Sequence, residues 1–195
     1  MRLFAIVLAA GRSTRFGADK LTACLHGGTV LAHTLNAVTR ECFSGAVCVV
    51  SSDAAEAVCA ECGFPCARYA GGPLSESIRT GMESIGDADG VLFINGDQPL
   101  LRAESVRALC RAFETDPGAV WRLSYRGEAA SPVLFPRSAF DALRSLQGEK
   151  GGMAAAKQLG LPVRTSEAGA GQELWDVDTP ELLKAAEEYL GNIEE

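Results

Sequence analysis

Histidine and aromatic residues are scarce in this sequence. The chain of 195 residues has two histidines, His26 and His33, and aromatic side chains make up 7% of it. Both histidines fall in one short segment, and nothing in the pattern resembles a Ser-His-Asp or Cys-His set for nucleophilic catalysis. The glycines near the N-terminus match neither G-x-x-x-x-G-K-[ST] nor G-x-G-x-x-G, the two commonest phosphate-binding loops. A dehydrogenase that binds a dinucleotide is therefore disfavoured.

Long apolar runs are also missing. No stretch approaches the ~20 residues that a membrane-spanning helix needs, and the first residues lack the pattern of a secretory signal. The formal net charge is −7, from 25 acidic and 18 basic residues, so nucleic acid is a poor partner. With 47% apolar and 22% charged residues, the sequence predicts a single globular domain over residues 1–195, cytoplasmic and without a membrane partner.

The seven cysteines form an odd-numbered set, and a chain of this length does not need disulfides, so reduced thiols are expected. Cys59, Cys62 and Cys66 have the spacing C-x-x-C-x-x-x-C, for which a metal site is one interpretation. A fourth ligand would have to come from a distant part of the sequence. The pattern therefore favours buried thiols without bound iron or zinc.

Residues 3–20 are the most informative stretch of the chain. Six apolar residues, Leu3–Leu8, predict a strand buried on both faces. The small residues Ala9–Gly11 follow, where a ligand can approach the backbone closely. Three cations come next, Arg12, Arg15 and Lys20. Backbone N–H groups in such loops bind anions and the cations add charge, so this stretch predicts a polyphosphate site.

Strands and helices alternate through the chain. The elements that bear on the site are strands at Ala46–Ser51, Gly90–Asn95 and Leu174–Asp178, and helices at Asp53–Cys62 and from a Ser75 cap to Ile85. This alternation predicts a mostly parallel sheet with helices on both faces. Ligands of such sheets bind at the carboxyl ends of the strands, so residues 9–20 and Asp97 should share one crevice.

Three aspartates are candidate metal ligands. Asp97 directly follows a buried strand, and Mg²⁺ favours one or two carboxylates together with phosphate oxygens and water. The alternative for Asp97 is a turn-forming role in Gly96–Pro99. Asp176 and Asp178 lie two residues apart, so on a strand both would face the same side. Asp178 is the expected second metal contact, with a helix-capping role as its alternative.

Leu8–Lys20 resembles the signature L-A-[AG]-G-x-S-x-R-[FM]-G-x-x-K of the nucleotidyltransferases that act on molybdopterin, and matches it at every fixed position. Further segments are similar to other motifs of that family: Gly72–Gly81, Gly96–Pro99, Pro132–Phe135 and Asp176–Glu181. The chain departs from the family pattern at Ala130, where glycine is usual, and at residues 148–153. There the usual G-D-x-G-A-R is Gly-Glu-Lys-Gly-Gly-Met.

The resemblance implies a fold and a set of site residues. The implied fold is a single-domain three-layer α/β/α, Rossmann-like (glycosyltransferase-A-like) domain, with a nucleotide-binding half at about 1–101 and an acceptor-binding half at about 102–195. The implied catalytic residues are Arg15, Lys20 and Asp97, and Mg²⁺ would be held by Asp97 and Asp178. The implied nucleotide-binding residues are Leu8, Ala9, Ala10, Gly11, Arg12, Lys20, Gly72, Leu74, Ser75, Ser77 and Gly96.

The implied function is Mg²⁺-dependent transfer of CMP from CTP to the molybdenum-molybdopterin cofactor, with release of pyrophosphate. Ala10 favours cytidine in this interpretation, because L-A-A-G accompanies cytidine nucleotides in the family. A molybdenum hydroxylase apoenzyme would then receive the product. Two alternatives stay open: transfer to another phosphorylated acceptor, such as a sugar or polyol phosphate, and a non-catalytic carrier of nucleotide or cofactor. The departures at residues 148–153 bear on the acceptor more than on the nucleotide.

Overall fold

A computed structural model describes residues 1–11, 16 and 19–193. The strands are β1 (Leu3–Ala9), β2 (Cys24–Leu25), β3 (Gly28–Thr29), β4 (Gly45–Val50), β5 (Cys66–Arg68), β6 (Gly90–Asn95), β7 (Val120–Tyr125), β8 (Glu128–Pro136) and β9 (Val163–Glu167). The helices are α1 (Val30–Asn36), α2 (Asp53–Glu61), α3 (Leu74–Glu83), α4 (Ala103–Thr115), α5 (Phe140–Arg144), α6 (Gly152–Leu159) and α7 (Pro180–Ile193). Within this part of the chain, every helix is too short or too polar to cross a lipid bilayer.

Seven strands form one mixed, mostly parallel sheet in the order β5-β4-β1-β6-β8-β7-β9. Strands β5, β4, β1 and β6 are parallel neighbours, and β8 runs antiparallel to both β6 and β7. The carboxyl ends of β1 and β6 lie side by side, with Leu8 paired to Asn95. The loops that follow these two strands therefore leave the sheet at the same point, as the α/β pattern predicted.

Both faces of the sheet are covered by helices, which gives the three-layer α/β fold expected from the sequence. Side chains of β1 alternate between the two faces: Ala5 and Val7 pack against α1, α2 and α4, while Ile6 packs against α3, α5 and α6. This two-sided burial explains why the strand is apolar at every position. A third, smaller apolar cluster packs α7 against β2 and the start of α1.

Two sequence-based expectations about local structure are wrong. Leu174–Asp178 is not a strand: a 3₁₀ turn covers Gly171–Leu174, and residues 175–178 after it belong to no strand or helix. Ser75 does not cap α3, because Pro73 holds the cap position without a side-chain hydrogen bond. The strand β9 had no sequence signal, since its residues are mostly polar and exposed along the edge of the sheet.

The cysteine group gains a fourth member from the fold. Cys48 on β4 is the register partner of Cys66 on β5, and Cys59 on α2 packs in the same apolar cluster, with Cys62 beside it. Burial raises the pKa of the Cys66 thiol to about 12, so the neutral thiol is the stable form near neutral pH. Among the described residues, no group of three or more metal-ligating side chains is arranged to hold an ion.

Candidate functional site

A cleft of about 620 Å³ opens at the carboxyl edge of the sheet, between the ends of β1 and β6 and the first turn of α3. Thirteen of the described residues line it: Leu8, Ala10, Gly11, Lys20, Leu21, Tyr69, Gly72, Pro73, Leu74, Ser77, Asn95, Asp97 and Glu149. The loop after β1, the end of β6 and the segment before α3 thus converge here, as expected for a ligand site at the strand ends of an α/β sheet.

Lys20 is positioned by a 3₁₀ turn, Lys20–Thr22, that packs against α1 and α2. Asp19 caps this turn by accepting a hydrogen bond from the Leu21 backbone N–H at 3.2 Å, and its other oxygen accepts from the Ser52 hydroxyl at 3.0 Å. The Leu21 side chain is buried in the core and anchors the turn. Lys20 itself is only 8% exposed, so its ammonium group is directed into the protein rather than into solvent.

The Lys20 ammonium lies between two carboxylates. It donates a short hydrogen bond to Asp97 and a second one, of 2.6 Å, to Asp178 Oδ1. Burial alone would lower the pKa of Lys20, but attraction and hydrogen bonding to the two carboxylates outweigh it, so the pKa is raised. The backbone N–H of Val177 donates to the Asp97 carbonyl at 2.9 Å, which ties the segment before α7 to the end of β6.

Asp176 adds a third carboxylate beside this pair. The Asn95 side-chain amide donates to Asp176 Oδ1 at 3.2 Å. Burial and the negative charge of Asp97 nevertheless raise the pKa of Asp176 to about 6. Like charges this close favour protonation of one member unless a cation lies between them. The cluster therefore has more negative charge than Lys20 alone balances, which favours binding of a further cation.

The donor set suits a magnesium ion. Within the described part of the chain no three ligating side chains converge, but Asp97 and Asp178 present their carboxylates to one cationic group, the Lys20 ammonium. Mg²⁺ is commonly held by one or two carboxylates, with substrate phosphates and water completing its shell. Asp97 and Asp178 are therefore suitable ligands for such an ion. In this structure the Lys20 ammonium group supplies the positive charge between them.

The opposite wall of the cleft is built mainly from backbone groups. The first turn of α3 meets a turn at Gly148–Glu149: the Gly148 carbonyl accepts from the Ser75 N–H at 3.1 Å, and Glu149 Oε2 accepts from the Leu74 N–H at 3.3 Å. The Tyr69 hydroxyl donates to the Pro73 carbonyl at 3.0 Å. These contacts shape the segment before α3 into a rim over the cleft.

Gly72 is required in this rim. Its φ of +147° lies outside the region that L side chains readily adopt, and a Cβ there would come within 3.1 Å of the Tyr69 hydroxyl. A side chain at this position would therefore strain the backbone and push Tyr69 out of place.

Residues 5–163 match the family described as MobA-like NTP transferase domain. The chain belongs to this family. A probable molybdenum cofactor guanylyltransferase of Pyrococcus horikoshii is 32% identical over 115 residues, and the matched part is 58% of this chain and 57% of that protein. The purine catabolism protein PucB of Bacillus subtilis is 29% identical over 92% of this chain and 93% of its own. A 2-C-methyl-D-erythritol 4-phosphate cytidylyltransferase of Dehalococcoides mccartyi is 33% identical, over 52% of this chain and 48% of that protein.

Solved structures agree with this family assignment. The homologue of Rv0371c from Mycobacterium sp. strain JC1 superposes with a TM-score of 0.82 at 26% identity, covering 99% of this chain and all of that one (100%). Rv0371c of Mycobacterium tuberculosis, in a complex with manganese, gives a TM-score of 0.76 at 25% identity, over 96% of this chain and 98% of that one. The MobA-like family thus covers residues 5–163 and supports a nucleotidyltransferase class of enzyme, while the fold of these solved structures extends over nearly the whole chain.

In this MobA-like domain the cleft brings together eight of the residues named from the sequence: Leu8, Ala10, Gly11, Lys20, Gly72, Leu74, Ser77 and Asp97. Asp178 joins them through Lys20. Three other residues named from the sequence do not line the cleft: Ala9, Ser75 and Gly96. Gly96 packs against Ala9, because a Cβ on Gly96 would be 3.0 Å from the Ala9 Cβ. Arg12 and Arg15 lie outside the described residues, and their roles stay predictions.

Sequence reasoning missed several lining residues. Asn95 occupies the last position of β6, where the alternation of side chains could have directed attention to it. Tyr69 and Glu149 had no such signal, because they reach the cleft through contacts between distant segments: Glu149 contacts Leu74, which is 75 residues away. From the sequence, residues 148–153 stand out only because they differ from the G-D-x-G-A-R motif.

Proposed function

We propose that this protein transfers CMP from CTP to the molybdenum-molybdopterin cofactor and releases pyrophosphate. The observation that carries the proposal is the Lys20 ammonium group, buried at the edge of the cleft between the carboxylates of Asp97 and Asp178. A fixed cation and two carboxylates beside an open cleft are what phosphoryl and nucleotidyl transfer needs. The family assignment supports the reaction class.

The reaction places modest demands on the chain's own groups. An oxygen of the acceptor phosphate attacks the α-phosphorus of CTP, a new P–O bond forms, and the bond to the β,γ-pyrophosphate breaks. Negative charge passes to the leaving pyrophosphate. Lys20 would neutralise part of that charge from the edge of the cleft, and Arg15 is proposed to assist it, as the sequence motif implies.

Asp97 and Asp178 are proposed to hold Mg²⁺. When bound, the ion would supply positive charge beside the CTP phosphates. The manganese complex of Rv0371c supports a divalent cation in a protein of this fold and moderate identity. Lys20 contacts both carboxylates in this structure. With these carboxylates engaged by Mg²⁺, its ammonium group would face the triphosphate.

One structural feature supports the choice of cytidine. Ala10 lines the cleft with its methyl group packed against the apolar cluster under α3, where a glycine would leave more room. The match to a probable molybdenum cofactor guanylyltransferase supports the acceptor, and the match to a cytidylyltransferase supports a cytidine nucleotide. The proposed product would be passed in the cytoplasm to a molybdenum hydroxylase apoenzyme.

The test is an activity assay with purified protein, CTP, Mg²⁺ and molybdenum-molybdopterin. We expect equimolar pyrophosphate and a cytidylylated cofactor, and neither product with Asp97→Asn. Pyrophosphate release that needs the cofactor but not a divalent ion would contradict the metal assignment. Absence of any transfer, with the cofactor shown to be intact, would contradict the acceptor.

A second candidate, transfer to a polyol or sugar phosphate, has one observation in its favour. The match to a 2-C-methyl-D-erythritol 4-phosphate cytidylyltransferase shows a similar sequence with a phosphorylated polyol in its printed name. Parallel reactions with such phosphates separate the candidates. A chain that binds CTP and cofactor but releases no pyrophosphate with any acceptor would support the third interpretation, a non-catalytic carrier.

A further inference from the structure

The cluster around Lys20 and the Glu149 carboxylate lie at opposite ends of the cleft, on opposite sides of the sheet. Lys20 enters from the side of α1 and α2, whose apolar cluster includes Leu21. The turn at Gly148–Glu149 enters from the side of α3, α5 and α6. The charged residues among those lining the cleft are Lys20, Asp97 and Glu149, so the positive group and the Glu149 carboxylate face each other across the strand ends.

This separation orients a bound nucleotide. A triphosphate is attracted to Lys20 and to any cation held by Asp97, and it is repelled by the Glu149 carboxylate. The base must then lie towards α3. That end offers apolar surface from Ala10, Pro73 and Leu74, and Leu74 is 40% exposed although it is a large apolar side chain. A planar base would cover this surface.

The Glu149 carboxylate is held in place at that end. Its Oε2 accepts from the Leu74 N–H at 3.3 Å, and the neighbouring Gly148 carbonyl accepts from the Ser75 N–H at 3.1 Å. The turn thus uses two donors of the first turn of α3 and positions the carboxylate over the cleft. A carboxylate has two oxygens and about four acceptor sites, so one hydrogen bond to Leu74 leaves capacity for another donor.

An ionised carboxylate only accepts hydrogen bonds, and this limits the bases that it can recognise. Cytosine presents an exocyclic amino group as a donor, whereas uracil presents a carbonyl oxygen at the same position. The carboxylate attracts the first and repels the second. Glu149 therefore distinguishes cytosine from uracil. Adenine and guanine also have amino groups, so the carboxylate does not exclude them, and discrimination between purines and pyrimidines must come from the surface around Ala10.

We propose that Glu149 is a specificity-determining residue that accepts a hydrogen bond from the exocyclic amino group of the base and so rejects uridine nucleotides. The inference rests on the proposed nucleotidyl transfer and deepens it.

The test is equilibrium binding of CTP and UTP with Mg²⁺, measured by calorimetry on the full chain. We expect the unmodified protein to bind CTP roughly ten- to a hundredfold more tightly than UTP, as the loss of a charge-assisted hydrogen bond predicts. Glu149→Gln should remove most of that preference, because the amide can still accept from Leu74 but now also offers a donor to the uracil oxygen. Glu149→Ala should also reduce the preference, because it removes both the hydrogen bond to the cytosine amino group and the repulsion of the uracil carbonyl.

Glu83→Gln is the matched control, because it removes the same charge from an exposed position at the far end of α3. It should keep the original preference. If Glu149→Gln keeps it too, with an unchanged melting temperature, Glu149 only caps the helix and the inference is wrong while the proposed function stands. If the unmodified protein binds neither nucleotide, the proposed function fails first.

Discussion

The two walls of the cleft are built in different ways. The charged wall consists of Lys20, Asp97, Asp176 and Asp178, side chains from three separate segments that meet through ion pairs and hydrogen bonds. The backbone wall consists of residues 69–77 and the turn at Gly148–Glu149, where main-chain N–H and C=O groups set the shape and one carboxylate points over the cleft.

This difference indicates a division of labour. The charged wall concentrates groups that act on phosphate, where charge develops during transfer. The backbone wall presents an apolar surface and few charges, which suits recognition of a flat, weakly charged group. Changes to the charged wall should therefore reduce turnover with every nucleotide, whereas changes to the backbone wall should alter the choice among nucleotides.

Asp97→Asn should have the largest effect. The substitution keeps the shape of the side chain but removes a charge from the proposed metal site, so turnover should fall by about 10³-fold with every nucleotide. The fold should persist, because Lys20 keeps its hydrogen bond to Asp178. Pyrophosphate release and the melting temperature are the measurements, with the exposed Asp141→Asn as the control. Retained Mg²⁺-dependent activity with an unchanged metal optimum would exclude Asp97 as a metal ligand.

Lys20→Met should reduce turnover less, by about 10²-fold, and should also destabilise the protein. Removing the buried cation leaves the Asp97, Asp176 and Asp178 carboxylates facing one another, at a cost of about 1–3 kcal/mol after allowing for the partial exposure of Asp178. Because a divalent cation can replace the ammonium group, Mg²⁺ should restore much of the lost stability. Thermal unfolding in EDTA and in Mg²⁺ measures this.

Lys184→Met is the control for that experiment, since Lys184 is exposed on α7. Equal destabilisation of Lys20→Met in EDTA and in Mg²⁺ would mean that the carboxylates do not form a cation site. The charged wall would then be a structural ion-pair cluster.

The fold was largely predictable because its signals are local. The apolar run of β1 is one such signal. The observed N-caps Thr29 and Ser52 are local in the same way, because each accepts a hydrogen bond from the backbone N–H three residues further along. The strand β9 was not predictable, because an exposed edge strand needs no apolar pattern. Residues 176–178 have the polar–apolar–polar alternation of a strand, with Val177 as the apolar residue. In the structure, however, Val177 is buried against α7 rather than in the sheet.

The site was predictable in part on both walls, since Gly72, Leu74 and Ser77 were named from the sequence and line the backbone wall. Lys20 and Asp97 follow the ends of adjacent strands, and parallel topology brings such positions together. The contact between Glu149 and α3 depends on how α5 and α6 pack, which no local pattern encodes. The partnership of Lys20 with both carboxylates also required the folded chain, since Asp178 is 158 residues away from it in sequence.

Asp176 provides a pH test of the charged wall. Its pKa is raised from 3.8 to about 6 in the folded state, so between about pH 4 and pH 6 the folded protein holds a proton that the unfolded chain has lost. The free energy of unfolding should therefore fall as the pH rises through this window. The shift corresponds to about 3 kcal/mol, or about 2 kcal/mol after allowing for the partial exposure of Asp176. Asp176→Asn should remove that fall. Urea unfolding in EDTA at several pH values measures it, and the same slope in both proteins would contradict the assignment.

Ala10→Gly should have the smallest effect, and it tests the backbone wall by size. The Ala10 methyl group lies in the cleft against the apolar cluster under α3, on the side where the base is proposed to bind. One methyl group in an apolar pocket discriminates by about 1–3 kcal/mol, or ~10–200-fold, so the larger guanine should gain while cytosine loses little. We expect CTP to keep a higher kcat/KM than GTP in both proteins, with the ratio narrowed by roughly tenfold in Ala10→Gly.

The same variant separates the two determinants of the base. Because guanine also has an amino group, Glu149 cannot distinguish it from cytosine by that group alone, and the methyl group of Ala10 must contribute the choice by size. Ala10→Gly should therefore change the ratio of CTP to GTP and leave the ratio of CTP to UTP unchanged. Steady-state kinetics with the three nucleotides measures both ratios. Equal use of CTP and GTP by the unmodified protein would refute the cytidine preference and leave the nucleotidyltransferase assignment standing.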